Sequence, residues 1–176
     1  MINKSNKKRE FDLSKIDFGN KEIAEKIASE VLKKMQENPG MTLQDATGVS
    51  DEALEEVYCL AYNFYNQGKY RESISLFEFL TGACPKQYKY VLGLAASYHQ
   101  IQAYNEAFAG FYIALHLEPD NPIPAYFSMD CLLKQNLKEE ALEFAEVTSE
   151  ICEQRPEYLE LKQRCDLIAE TLKVNK

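Results

Sequence analysis

Apolar residues recur along this chain at intervals of three and four, and the pattern predicts helices throughout. Ile23, Ile27, Val31 and Met35 form one stripe over about residues 21–36, with Asn20 placed to cap that helix. Asn38-Pro39-Gly40 is placed to stop it. Ser50 can cap the next helix, where Asp51 and Glu52 favour the positive end of the dipole. After Pro156 a last amphipathic helix carries Leu159, Leu161, Cys165, Ile168 and Leu172. No segment shows the alternation of a strand.

The same pattern repeats. Pro85 and Pro119 stand 34 residues apart, the period of a tetratricopeptide (TPR) unit. The segments before them align without gaps: Leu60-Ala61 on Leu94-Ala95, Phe64 on Tyr98, Tyr70 on Tyr104, Ser73 on Ala107, Phe77 on Phe111. Small residues sit where two helices cross closely, and the large ones fill the space beside them. Gly68 suits the tight turn inside the first unit, and the prolines close each second helix. A weaker third unit places Leu132 and Ala141 at the same spacing, with Pro156 three residues late. The fold expected is all-α, a superhelix of three TPR units with an N-terminal helix and a C-terminal capping helix. Its expected divisions are a basic arm at 1–18, an N-terminal helix and linker at 19–49, the units at 50–153 and the cap at 154–176.

In a TPR stack the first helix of each pair lines the concave side. On the first such helix Tyr58, Tyr62 and Tyr65 recur at i, i+4 and i+7, while Leu60, Ala61 and Phe64 take the packing side. The equivalent places are Leu92, Ala96 and His99 in unit two, and Tyr126, Asp130 and Leu133 in unit three. A groove so apolar and aromatic suits an extended peptide with apolar side chains, and it lacks the Lys, Arg and Asn ladder that grips an acidic C-terminus. The bland alternative is that these tyrosines pack against the N-terminal helix or a neighbouring unit. Tyr70 and Tyr104 read first as packing residues.

Composition narrows the function. The 176 residues carry a net charge of −8, which argues against a nucleic-acid partner. Residues 1–10 hold four basic side chains against Glu10, so the remainder carries −11. That basic start reads as a solvated arm, or alternatively as a contact arm. No stretch approaches a membrane span, and no secretory signal follows the basic start. Five cysteines without a C-x-x-C pair lack zinc-ligand spacing and suit reduced thiols in a cytosol, so no cofactor or metal is expected. Catalysis finds no nucleophile–base pair, and neither His99 nor His116 has a carboxylate partner by local spacing.

The run from Leu54 to Tyr65 with Gly68-Lys69-Tyr70 resembles the first repeat of the class II type III secretion chaperones. Val91-Leu92-Gly93-Leu94 and Met129-Asp130-Cys131-Leu132-Leu133 resemble their second and third. The resemblance covers roughly residues 50–170. It implies a bacterial cytoplasmic chaperone, not an enzyme, that holds hydrophobic translocator proteins by a Pro-x-Leu-x-x-Pro type of segment. By position it assigns the groove to Tyr58, Tyr62 and Tyr65, with Tyr70 and His99 as further contacts. Family members often dimerise through the N-terminal helix, here about 20–36. A general scaffold linking subunits of a complex is the alternative.

Overall fold

The computed structural model describes Ser29 and residues 33–174. The expected N-terminal helix and the basic arm fall largely outside the described residues, although 33–37 are helical. Eight α-helices follow: α1 Leu43–Thr47, α2 Asp51–Asn66, α3 Tyr70–Ala83, α4 Tyr88–Gln100, α5 Tyr104–Leu117, α6 Pro122–Lys134, α7 Lys138–Glu153 and α8 Leu159–Val174. A short 3-10 turn, Pro156–Tyr158, leads into α8. The described residues contain no strand.

Local chemistry sets the boundaries. The Ser50 hydroxyl accepts from the Ala53 amide and starts α2, as its sequence position predicts. Asn121 caps α6 through the Ile123 amide, with Pro122 in the first turn, where a missing N–H costs nothing. Thr42 and Asp45 cap α1 reciprocally in a capping box. The second helices end at Ala83 and Leu117, two residues before Pro85 and Pro119. The turn inside each unit uses one left-handed residue at the same repeat position: Gly68 (φ 75°), Gln102 (φ 63°) and Asn136 (φ 61°). Only the first of these is a glycine.

Each helix packs on the one before and the one after it, from α2 to α8. Three apolar clusters follow one another along the stack. They centre on Leu54, Ala61, Phe77 and Leu80, then on Ala95, Ala107, Phe111 and Cys131, then on Met129, Leu132, Ala141 and Ala145. The small residues do what the alignment requires: Ala61, Ala95, Ala107 and Ala141 have no exposed surface. Gly93 is needed for the same reason, because a Cβ there would stand 2.3 Å from the Phe77 ring. A buried hydroxyl relay ties α2, α3 and α4 together. Ser73 Oγ donates to the Ala61 carbonyl at 3.0 Å and meets Ser97 Oγ at 3.1 Å. Ser97 also bonds the Gly93 carbonyl at 2.7 Å.

Two apolar side chains depart from the expected packing. Leu60 is 47 % exposed on α2, since no described element covers that flank of the helix. Leu159 is 57 % exposed at the start of α8, while Cys165, Ile168 and Leu172 turn inward as expected.

Candidate peptide-binding face

The first helices α2, α4 and α6 present one continuous face. Side chains about one repeat apart bridge it. Lys89 is bonded to Glu55, joining α4 to α2. Gln100 Nε2 donates to the Tyr65 hydroxyl at 3.4 Å, also from α4 to α2. His99 Nε2 lies 2.7 Å from Asp130 Oδ2, joining α4 to α6.

The aromatic end is built on α2. Tyr58 is half-buried, with its ring against Phe77 at 6.1 Å and Tyr90 at 5.8 Å. Burial pushes its phenol above the ordinary value, so it stays neutral and apolar in character. The Lys89 ammonium stands 4.5 Å above the same ring, in cation–π range, while the Glu55 hydrogen bond raises its own pKa. Tyr62 stacks on Tyr58 at 6.3 Å and keeps 52 % of its surface exposed. Tyr65 is half-buried and meets Tyr70 edge-on at 5.5 Å. Four predicted site residues thus form two pairs along α2 and its turn, Tyr58 with Tyr62 and Tyr65 with Tyr70.

The rest of the face is more occupied. Leu92 and Ala96 are partly buried and pack on the middle cluster. His99 lies among Tyr104, Phe111 and Phe127, each at 5.6–6.2 Å and edge-on. Local spacing gives His99 no carboxylate partner, and Asp130, 31 residues away, supplies one across the repeat boundary. Tyr126 belongs to the third cluster, where the Arg164 guanidinium of α8 stands 5.5 Å above its ring. Sequence spacing shows neither this cation nor Lys89, since both come from a neighbouring unit or the cap. Among the described residues, no helix is long and apolar enough to cross a membrane.

Three helix–turn–helix units in one stack, closed by α8, define a tetratricopeptide-repeat protein, and a Tetratricopeptide repeat family model matches residues 54–82. The chain is similar to the Low calcium response locus protein H of Yersinia pseudotuberculosis, 26 % identical over 78 % of this chain and 82 % of the relative. It is also similar to the Chaperone protein SicA of Salmonella typhimurium, 27 % identical over 77 % and 81 %. In fold it matches the Yersinia enterocolitica type III secretion chaperone SycD. One solved structure of SycD holds a peptide of the translocator YopD, at TM-score 0.67 and 26 % identity over 72 % of this chain and 96 % of that one. Another shows an alternative dimer, at TM-score 0.65. The resemblance to class II translocator chaperones, drawn from the residues alone, is borne out by these relatives.

Proposed function

We propose that this chain is a bacterial cytoplasmic chaperone for hydrophobic translocator proteins of a type III secretion system. It binds an extended apolar segment along the face of α2, α4 and α6. The observation that carries this reading is the Tyr58–Tyr62–Tyr65 surface, where rigid rings backed by the core leave Tyr62 open beside an apolar floor. Tyr70, Leu92, Ala96, His99 and Tyr126 extend that surface across the three units.

The mechanism is competitive burial. Translocators carry apolar stretches that aggregate or insert early into membrane. Holding one segment in the groove keeps the cargo soluble and apart from its partners, and moderate affinity lets a secretion machine strip it off. No chemistry on the cargo is required. His99 fits that reading, because its Nε2 is committed to Asp130 and its ring is flanked by three others. A second copy joining through the N-terminal helix is part of the same proposal.

The test is a tagged pull-down from the source cell, with wild type beside Tyr62→Glu, read by mass spectrometry. The reading expects a large protein with apolar segments that is lost with the variant. Recovery of folded complex subunits equally with both would replace it with a scaffold.

A further inference from the structure

The second helices carry a separate surface with its own 34-residue repeat. Phe79, Ile113 and Val147 occupy one repeat position on α3, α5 and α7, and they are 38 %, 50 % and 38 % exposed. None lies on the first-helix face. Seven residues earlier on each helix stand Glu72, Glu106 and Glu140, all exposed. Seven residues are about two helical turns, so each glutamate and its apolar partner share one side of their helix, about 10 Å apart. The result is two parallel ladders across three helices, one apolar and one acidic.

The glutamates alone have an ordinary explanation, since each sits in the first turn of its helix and favours the dipole there. That explanation leaves the apolar ladder untouched. Single exposed apolar residues are normal on a surface, whereas three at one repeat position form a row. α7 adds the exposed Glu143 and Glu150 beside Val147, so the acidic character is strongest at the α7 end of the row.

We propose that this outer face is a second docking site, for an amphipathic α-helix of a partner with an apolar stripe flanked by Lys and Arg. Charge complementarity selects that occupant: the apolar stripe covers Phe79, Ile113 and Val147, and the cations reach the glutamate ladder. The α5 Phe108 and α7 Phe144 rings meet at 5.5 Å, so the second helices of the last two units touch directly. The site is independent of the groove, so the two are occupied together.

The probe is a synthetic labelled 16-residue peptide with a leucine stripe flanked by lysines, followed by fluorescence anisotropy on the full chain. Its control has glutamates in place of the lysines. The lysine peptide is expected to bind wild type and Tyr62→Glu alike, and at least tenfold more weakly to Ile113→Asp and to Glu106→Lys. Circular dichroism verifies that both outer variants remain folded, and an extended apolar groove peptide binds them as it binds wild type. Unchanged affinity in the outer variants, loss with Tyr62→Glu, or equal binding of the glutamate peptide would overturn the proposal. So would a peptide-free dimer that Ile113→Asp dissociates, which would make a second copy the occupant.

Discussion

His99 on α4 and Asp130 on α6 meet at 2.7 Å across the boundary between the second and third units. Their side chains are only 18 % and 30 % exposed, so the bond is shielded from water and couples two repeats that otherwise meet through α5. Hydrogen bonds to charged groups contribute about 1.5–3 kcal/mol. Asp130→Ala removes the acceptor and leaves a half-buried imidazole with an unused nitrogen. We expect a loss of about 1.5 kcal/mol, read as a thermal midpoint roughly 4 °C lower. An unchanged midpoint would mean the pair braces nothing.

The three inner turns are not equally comfortable. Gln102 holds φ 63°, a left-handed conformation that glycine adopts freely and that costs other residues about 1–2 kcal/mol. The backbone bond it makes, from its amide to the His99 carbonyl at 3.0 Å, needs no side chain. Gln102→Gly should therefore raise stability by about 1 kcal/mol in a denaturant titration. The reciprocal change, Gly68→Ala, should lower it by a similar amount.

Thiol reactivity should divide the cysteines by burial. Desolvation pushes Cys131 up to about 12 and Cys165 up to about 11, so neither presents a thiolate near neutrality. Cys59 is the exposed thiol, on α2 beside Tyr58. Maleimide labelling of native protein at pH 8, read by peptide mass spectrometry, should modify Cys59 first. Cys131 and Cys165 should react only after unfolding. Early modification of Cys131 would contradict the packing of the middle cluster.

Much of the fold was legible in the sequence because a 34-residue period leaves marks that survive divergence. Alanine at 61, 95, 107 and 141 and the prolines at 85 and 119 encode helix crossings and helix ends directly. The inner turns were legible only at Gly68, since Gln102 and Asn136 adopt the same conformation without its usual residue. Part of the candidate face was legible too: of the i, i+4, i+7 tyrosines of α2, Tyr58 and Tyr62 stack on each other, and Tyr65 meets Tyr70. What spacing along one helix cannot show is the contact between units. His99 finds Asp130, Tyr58 finds Lys89 and Tyr126 finds Arg164 only once the repeats stack. Leu60 and Leu159 were misplaced for a related reason: periodicity names an apolar face, and neighbouring elements decide whether it is covered.

The central claim is that an extended apolar segment lies along the Tyr58–Tyr62–Tyr65 face. Its most direct measurement is the affinity of a labelled peptide of the Pro-x-Leu-x-x-Pro kind, titrated with wild type and with Tyr62→Glu. Tyr62 is half exposed and makes no buried hydrogen bond among those described, so the variant should keep its helicity. We predict saturable binding to wild type and at least a tenfold loss with the variant, in keeping with an aromatic anchor at the centre of the surface. Equal affinity for both proteins would contradict the account and return the tyrosines to a packing role.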